Sequence, residues 1–224
     1  MSAAGDDTEA ERHTPDVAVV DYGAGNLVSI EQALSAAGAR PRRVTDGASI
    51  GSPDLLVVPG VGAAAPAMDR LRAGGLVEPI RSWIAADRPF LGICLGLQLL
   101  FEGSDEDGAE TLGVLRGRTV RLVDTPTLPH IGWNQVERRR QHPAFDGIAD
   151  GADFYFVHSY AGAPPAGDPA AEVLAETEHG RRFVSAVARG RLLGVQFHPE
   201  RSGSDGLRLI RNVVGLAVAA GSAA

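Results

Sequence analysis

The sequence predicts a single α/β domain, in which a mostly parallel central sheet carries flanking helices and the second half adds a mixed or antiparallel, strand-rich part. Three observations predict this fold class. In the first half, short apolar runs alternate with stretches of helical spacing, as in strand–helix–strand units. After Gly103, short strand-like runs such as RTVRLV, DFYFVHSY and RFVSAVARG follow one another closely. The length of 224 residues suits one domain, and a hydrophobic content of 44% provides for a sizeable core.

The first predicted unit is a strand followed by a helix. VAVVD (Val17–Asp21) is a short β-branched run that is typical of a buried strand. The glycine turn YGAGN follows. NLVSIEQALSAAG then places apolar residues at helical spacing, with Asn26 as the expected N-cap and Gly38 as the expected end.

Three further strands are predicted before the middle of the chain. RRVTD is the second. DLLVVPG (Asp54–Gly60) is the third and, being almost entirely apolar, is expected at the centre of the sheet. One or two helices are expected between Pro66 and Ala86. PFLGIC (Pro89–Cys94) is the fourth strand, and LGLQLLFEGS is expected to form the helix after it. A last helix is expected from about Asp205 to Ala219.

The amino-terminal end is expected to lie outside the packed domain. Residues 1–15 are acidic and have no apolar stretch, so they predict a disordered tail and no secretory signal. The folded domain is accordingly assigned to residues 16–220. No run of about 18 apolar residues is present, so neither a membrane span nor a membrane partner is predicted.

Charge and cysteine content exclude several functions. The net charge of −7 and the pI of about 5.3 argue against a nucleic-acid partner, which normally requires a basic surface. The best basic run, Glu137–Gln141, is interpreted as a solvated turn or strand end. A single cysteine excludes an intrachain disulfide framework and fits a cytoplasmic location, which is reducing. Because the histidines lack ligand spacing, no metal and no cofactor is predicted.

The single cysteine, Cys94, stands in the tight frame GICLG, which has the form of a nucleophile elbow: a strand, a sharp turn and a helix. A Cβ at Gly92 or Gly96 is expected to clash with a neighbouring strand or helix. The start of the following helix favours the thiolate, and the Leu95 N–H points to where an oxyanion would form. The alternative is that Cys94 is only a small buried hydrophobe.

A nucleophilic cysteine needs a base, and His198 is the best candidate among the six histidines. It stands in VQFHPERS, with Glu200 two residues later. Pro199 is expected to keep this segment extended. On extended backbone these two side chains share a face, so the carboxylate can bond one ring nitrogen while the other faces the thiol. A simple surface pair is the alternative.

A second glycine-bearing turn ends the apolar third strand. The stretch VVPGVGAAAPAM (Val57–Met68) contains Pro59-Gly60-Val61-Gly62, called the PGVG loop below. In an open α/β sheet, ligands bind beyond the carboxyl ends of the strands. The loop is therefore a candidate for the second oxyanion N–H, although many such turns only connect elements.

Together these residues resemble the class I (triad) glutamine amidotransferases, because the elbow, the PGVG loop and the HPE triplet match in order and spacing. Finer motifs narrow the resemblance to the glutaminase subunits of imidazole glycerol phosphate synthase: DYGAGNLVSIEQAL, VPGVGAAAPAM, GICLGLQLLFEGSDE, LPHIGWN, YFVHSY and GRLLGVQFHPERSG. The resemblance runs from about Val17 to Val218 and implies a flavodoxin-like sheet.

The resemblance implies a catalytic role for each matching residue. Cys94 attacks the carboxamide of glutamine. His198 protonates the leaving ammonia and then activates water against the thioester, while Glu200 orients His198. The backbone N–H groups of Val61 and Leu95 form the oxyanion hole.

The resemblance also implies residues that hold the substrate or face a partner. The implied glutamine-binding residues are Gly60, Gly62, Gln98, Ser159 and Tyr160. The interface candidates are Asn26, Trp133 and Arg201. Trp133 has a packing role as its alternative, and Arg201 stands where some family members carry lysine. His158 and Asn134 match family motifs near the site or the interface.

The implied substrate is L-glutamine, and the implied partner is a (β/α)8 cyclase subunit with which the chain forms a heterodimer. There, ammonia and a phosphoribulosyl-formimino nucleotide yield imidazole glycerol phosphate and an aminoimidazole carboxamide nucleotide (AICAR) in histidine biosynthesis. Three rivals stay open at this point: a glutaminase of another synthase, a cysteine hydrolase on the same fold, and a non-catalytic scaffold. The PGVG loop argues against the first, Gln98 against the second, and the intact triad against the third.

Overall fold

The computed structural model describes residues 13–163 and 173–221, so residues 1–12 of the tail expected at 1–15 lie outside the described residues. The strands are β1 (Asp16–Val20), β2 (Arg40–Val44), β3 (Leu55–Gly60), β4 (Phe90–Cys94), β5 (Gly103–Ser104), β6 (Arg118–Arg121), β7 (His130–Arg138), β8 (Ala152–His158), β9 (Tyr160–Ala163), β10 (Val173–His179), β11 (Arg181–Arg189) and β12 (Leu192–Val195). The α-helices are α1 (Leu27–Ala36), α2 (Ala64–Ala73), α3 (Val77–Ala85), α4 (Leu95–Gln98) and α5 (Gly203–Gly221). Two 3-10 turns are formed by Pro143–Phe145 and Pro199–Arg201.

Nine strands form the main sheet, in the order β2-β1-β3-β4-β12-β11-β10-β7-β8. From β2 to β12 neighbouring strands are parallel, and from β12 to β8 they are antiparallel. The strands β5, β6 and β9 form a small second sheet. The prediction of a mostly parallel sheet followed by a mixed second half is confirmed.

The main sheet is covered on both faces by two separate groups of buried apolar side chains. In β1, Val17 and Val19 pack on the face that carries α1 and α5, whereas Ala18 and Val20 pack on the face that carries α2 and α3. This alternation is the two-residue period of an extended strand. All of β3 is buried, as its apolar run predicts for a central strand.

The first strand–helix unit follows its prediction closely. Asn26 caps α1 by accepting a hydrogen bond from the Ser29 amide at 3.3 Å, which satisfies an otherwise unpaired donor. The helix ends at Ala36. Gly38 then adopts φ +88°, a left-handed conformation that glycine tolerates at a helix end.

The helix expected after Cys94 is much shorter than predicted. α4 contains only Leu95–Gln98. The carbonyls of Leu99, Leu100 and Phe101 accept hydrogen bonds of 2.8–2.9 Å from the backbone amides of residues 112–115. The apolar run LLF therefore pairs with another segment instead of continuing the helix, and helical spacing alone does not reveal that competition.

One predicted strand is divided between the two sheets. The sequence predicts DFYFVHSY as a single strand, but β8 ends at His158 and β9 begins at Tyr160. β8 pairs with β7 in the main sheet, whereas β9 pairs with β6 in the small sheet. Ser159 therefore lies where the chain passes from one sheet to the other.

The first described residues already contact the domain. His13, which the sequence assigns to the tail, has its Nε2 atom 2.8 Å from Asp54 Oδ2. The Asp16 amide donates to the same carboxylate oxygen at 2.7 Å. Among the helices in residues 13–163 and 173–221, none is both long and apolar enough to cross a membrane.

Candidate active site

Cys94 occupies a sharp turn between β4 and α4. Its backbone has φ +54° and ψ −108°, which a residue with a side chain adopts only under strain. A Cβ on Gly92 would lie 2.8 Å from the Gly96 carbonyl oxygen, and one on Gly96 would lie 1.8 Å from the Val58 carbonyl oxygen. The expected lack of space at both glycines is confirmed, and the thiol is held at the carboxyl end of a central strand.

Gly96→Ala is expected to lower the thermal stability of the chain. The added methyl group would meet a backbone oxygen of β3 at 1.8 Å, and backbone moves less easily than a flexible side chain. Overpacking costs about 1–3 kcal/mol, which for a chain of this size lowers the melting temperature by about 2–12 °C. Thermal unfolding followed by circular dichroism measures the change.

Gly215→Ala is the matched control for Gly96→Ala. A Cβ on Gly215 meets nothing within 4 Å, and alanine is the better residue inside α5. The control should therefore keep or raise the melting temperature. A Gly96→Ala variant as stable as the control would contradict the packing argument.

His198 and Glu200 form a buried pair shortly after β12. The His198 Nδ1 atom lies 2.8 Å from Glu200 Oε1, and both side chains are buried. The expectation that Pro199 keeps the segment extended is wrong, because Pro199–Arg201 form a 3-10 turn after an extended His198. The turn brings the Glu200 carboxylate back to the His198 ring, so the two side chains pair through the geometry of the turn.

The surroundings of His198 favour its protonated form. Burial alone lowers the pKa of the imidazole, but the neighbouring Cys94 and the hydrogen-bonded carboxylate of Glu200 outweigh burial, so the pKa is raised. Nδ1 is held by Glu200, whereas Nε2 has no partner within hydrogen-bonding limits among the described residues. Nε2 is therefore the nitrogen available to exchange a proton near the thiol.

A cavity of about 280 Å³ opens beside Cys94. It brings together five residues proposed from the sequence: Val61, Gly62, Gln98, Ser159 and Tyr160. Its lining is completed by Ala63, Glu106, Pro129, Val157 and His158. Leu95, His198 and Glu200 lie outside this lining. In the described part of the chain, no three His, Cys, Asp or Glu side chains are grouped so that they could hold a metal ion.

The two glycines of the PGVG loop meet different requirements. Gly62 has φ +90°, which side chains disfavour. Gly60 instead lacks space: a Cβ there would lie 2.0 Å from the Tyr22 hydroxyl and 3.0 Å from Leu95 Cβ. Gly60 is the last residue of β3 and does not line the cavity, whereas Val61 is 45% exposed.

Two buried histidines adjoin the cavity, and the sequence placed only His158 near the site. His158 Nδ1 lies 2.9 Å from the Tyr160 carbonyl oxygen, and its Nε2 lies 3.1 Å from His130 Nδ1. Burial lowers the pKa of His158 to about 3 and that of His130 to about 4, so both rings are neutral near pH 7. The available signal was the motif pair LPHIGWN and YFVHSY, whose histidines face each other across β7 and β8.

An exposed face lies on the same strands. Ile131 and Trp133 are 59% and 56% exposed, so Trp133 is not a core residue. Trp133 packs edge-on against Tyr155 with ring centroids 6.2 Å apart, and the Arg201 guanidinium lies over the Tyr155 ring at 4.1 Å. These four residues are called the aromatic face below. Asn26 is exposed as well, but its side chain caps α1.

The fold and this site define a class of enzymes that hydrolyse glutamine. A family model described as glutamine amidotransferase class-I matches residues 18–215, and the chain belongs to this family. A solved glutamine amidotransferase has a TM-score of 0.70 at 22% identity, covering 90% of this chain and 98% of that chain. PurLQS from Thermotoga maritima has a TM-score of 0.72 at 17% identity, covering 91% and 99%. At these identities the likeness concerns the fold.

Curated relatives place the chain more narrowly within that class. The imidazole glycerol phosphate synthase subunit HisH of Symbiobacterium thermophilum is 47% identical over 197 residues, which cover 88% of this chain and 92% of the relative. HisH of Dehalococcoides mccartyi strain CBDB1 is 44% identical over 203 residues, covering 90% and 98%. The chain belongs to the HisH branch of the family.

Proposed function

We propose that the chain is the glutaminase subunit of an imidazole glycerol phosphate synthase, which hydrolyses L-glutamine to glutamate and ammonia and passes the ammonia to a cyclase subunit. The observation that carries this proposal is that Cys94 interacts with the His198–Glu200 pair beside a cavity lined by Gln98 and by Val61 and Gly62 of the PGVG loop. Similarity to HisH subunits over nearly the whole chain supports the same substrate and partner.

In the first half of the reaction, the Cys94 thiolate attacks the carboxamide carbon of glutamine. A C–S bond forms, and the former carbonyl oxygen takes the negative charge. His198 Nε2–H gives its proton to the departing nitrogen, the C–N bond breaks, and ammonia leaves a γ-glutamyl thioester on Cys94. The raised pKa of His198 keeps this proton on the ring until the leaving group needs it.

In the second half, water replaces ammonia. Neutral His198 accepts a proton from water, the hydroxide oxygen attacks the thioester carbon, and the C–S bond breaks to release glutamate and the thiolate. Glu200, 2.8 Å from Nδ1, keeps a proton on that nitrogen and so leaves Nε2 free for both transfers. Its charge also stabilises the imidazolium.

The negative oxygen of both intermediates needs hydrogen-bond donors. We assign this role to the backbone N–H groups of Leu95, which directly follows the nucleophile, and of Val61, which lines the cavity beside Cys94. Removal of one such donor typically costs about 2.7–4 kcal/mol in the activation free energy. α4 has only four residues, so its macrodipole contributes little to stabilising the oxyanion. The two N–H donors are therefore more important here than they would be at the start of a longer helix.

The released ammonia has to reach its acceptor without mixing with bulk water, where it is mostly ammonium and not nucleophilic. The aromatic face lies next to the cavity, because its residue Ile131 pairs in register with Val157. Val157 is one of the residues that line the cavity. We assign this face to the contact with the (β/α)8 cyclase subunit. Tryptophan, tyrosine and arginine are the residue types that contribute most at protein interfaces.

His198→Ala is expected to separate glutamine-dependent from ammonium-dependent synthesis in the reconstituted complex. Loss of the proton carrier should lower the glutamine-dependent rate by about 10²–10⁴-fold. Ammonium salts should still drive synthesis, because the cyclase reaction does not use this site. Formation of imidazole glycerol phosphate from each nitrogen source measures both rates.

Glu200→Gln is expected to lower the rate of glutamine-dependent synthesis less than His198→Ala does. The substituted side-chain amide still offers an oxygen to His198 Nδ1, but it carries no charge. Glu178→Gln is the matched control, since its side chain is 64% exposed. Glutamine-dependent synthesis at the wild-type rate in both His198→Ala and Glu200→Gln would contradict the proposed function.

A chain that hydrolyses other amides or electrophiles but never glutamine, even with cyclase present, would favour the cysteine hydrolase instead.

A further inference from the structure

The Cys94 sulfur has a second polar neighbour besides His198. Gln196 is fully buried, and its Nε2 atom lies 3.6 Å from Cys94 Sγ, a distance that suits an N–H···S hydrogen bond. The Gln196 backbone amide donates to the Ser185 carbonyl at 2.9 Å. This bond continues the pairing of β11 and β12 by one residue and fixes the point from which the Gln196 side chain starts.

The orientation of the Gln196 amide follows from a chain of hydrogen bonds that ends on a backbone carbonyl. Gln98 Nε2 lies 2.8 Å from the Tyr160 carbonyl oxygen. A carbonyl oxygen only accepts, so the nitrogen of Gln98 has to face it. The same nitrogen donates its other hydrogen to Gln196 Oε1 at 3.1 Å. Gln196 therefore turns its oxygen to Gln98 and its nitrogen to the sulfur.

The Tyr160 carbonyl is held in place by the histidine pair. Because this carbonyl accepts, His158 carries its proton on Nδ1 and donates across 2.9 Å. His158 Nε2 then accepts from His130 Nδ1–H at 3.1 Å, and His130 Nε2 accepts from Asn134 Nδ2 at 3.2 Å. Each link has a single arrangement of donors and acceptors, so the carbonyl is a fixed acceptor for Gln98.

We propose that Gln196 is a further catalytic residue, whose side-chain N–H donates to the Cys94 sulfur and stabilises the thiolate for attack. This proposal deepens the glutaminase function and rests on it. A donor at the sulfur favours the thiolate, because hydrogen bonds to ionised acceptors are stronger than those to neutral ones. The single turn of α4 supplies little dipole, so side-chain donors have to carry this stabilisation.

The same network determines what Gln98 offers to the substrate. Both hydrogen bonds of its amide use Nε2, and Oε1 makes no hydrogen bond among the described residues. Gln98 also lines the cavity. It therefore presents an acceptor to the N–H groups of a bound glutamine, and Gln196 acts on the attacking atom and on this contact together.

Alkylation of Cys94 by iodoacetamide, measured across pH on the full chain, tests the proposal without using glutamine. Gln196→Met removes the donor at similar volume. It should raise the pH midpoint of the alkylation rate by about one unit and slow alkylation at pH 7 about tenfold. Gln196→Glu places a carboxylate oxygen against the sulfur and should raise the midpoint further.

The comparison with the wild-type curve isolates Gln196, because the other titratable groups around the sulfur stay unchanged. Tyr22 and His198 interact electrostatically with Cys94, and Glu200 bonds His198. Glu106, His158 and Tyr160 line the same cavity. Gln32→Met, an exposed change on α1, is the matched control and should leave the midpoint alone. In the complex with cyclase, Gln196→Met should also lower kcat/KM for glutamine about tenfold.

Unchanged midpoints in Gln196→Met and Gln196→Glu chains that unfold cooperatively would overturn the proposal. If neither variant folds, NMR on the wild-type chain decides. The Gln196 side-chain amide resonance should then move with the same midpoint as alkylation, and a flat resonance refutes the hydrogen bond. A wild-type chain that never hydrolyses glutamine, even with the cyclase and its nucleotide present, would overturn the glutaminase function instead, while the alkylation result would still stand.

Discussion

Cys94→Ala is expected to abolish glutamine hydrolysis in the complex with the cyclase. The proposed reaction proceeds through a thioester on Cys94. No other described side chain that lines the cavity offers a comparable nucleophile, since Cys94 is the single cysteine. Loss of a triad nucleophile costs on the order of 10⁶ in rate. Glutamate release, followed with a coupled dehydrogenase, measures the effect.

Two controls separate loss of chemistry from loss of fold. Cys94→Ala should bind the cyclase and support ammonium-dependent synthesis as the wild type does. Cys94→Gly should melt at a higher temperature than Cys94→Ala, because φ +54° strains alanine but not glycine. A glutamine-like electrophile should label wild-type Cys94 alone, and full activity in Cys94→Ala would exclude the thioester.

The pairing of His198 with Glu200 and the crowding around Cys94 were predictable because both are local in sequence. The GICLG frame predicts its own crowding, and a His-x-Glu spacing is short enough to pair whatever the exact backbone. The 3-10 turn at Pro199–Arg201 shows this: the expected extended backbone is absent, yet His198 and Glu200 still meet at 2.8 Å.

The missed features depend on contacts between distant segments. The end of α4 is set by hydrogen bonds from residues 112–115, which no local pattern encodes. In the sequence, Gln196 is one more residue at the end of an apolar strand. Its proposed role depends on Gln98 and Tyr160, which are distant in sequence. Gln98 Nε2 lies 3.1 Å from Gln196 Oε1 and 2.8 Å from the Tyr160 carbonyl oxygen. Sequence spacing predicts neighbours along a strand or helix, whereas this network crosses between two sheets.

The chain alone is expected to hydrolyse glutamine about 10²–10³-fold more slowly than the complex with cyclase and its nucleotide. Val61 N–H can help the oxyanion only when its peptide plane faces Cys94. The PGVG loop has room to turn: Val61 is 45% exposed, and a Cβ on Gly62 would meet nothing within 4 Å. In a resting orientation, Leu95 N–H would serve alone.

The size of this effect follows from the loss of one donor, about 2.7–4 kcal/mol. The cyclase, with its nucleotide in place, has to favour the turned-in loop by a similar free energy, because a partner shifts an equilibrium only by its difference in affinity for the two states. The aromatic face is the proposed point of contact. Ile131 of this face pairs in register with Val157. Val157 lines the cavity together with Val61.

Glutamate release measured from the chain alone, with cyclase, and with cyclase plus its nucleotide ligand should rise in steps. Trp133→Ala should raise the concentration of cyclase needed for half-maximal activation, while the rate at saturation stays near wild type, because Trp133 belongs to the face proposed to contact the cyclase and does not line the cavity. Leu216→Ala, an equally simple change at a 40% exposed residue on α5, should alter neither value. A chain that turns over glutamine at full speed by itself, indifferent to cyclase and nucleotide, would refute the gating of the oxyanion hole and leave the triad chemistry intact.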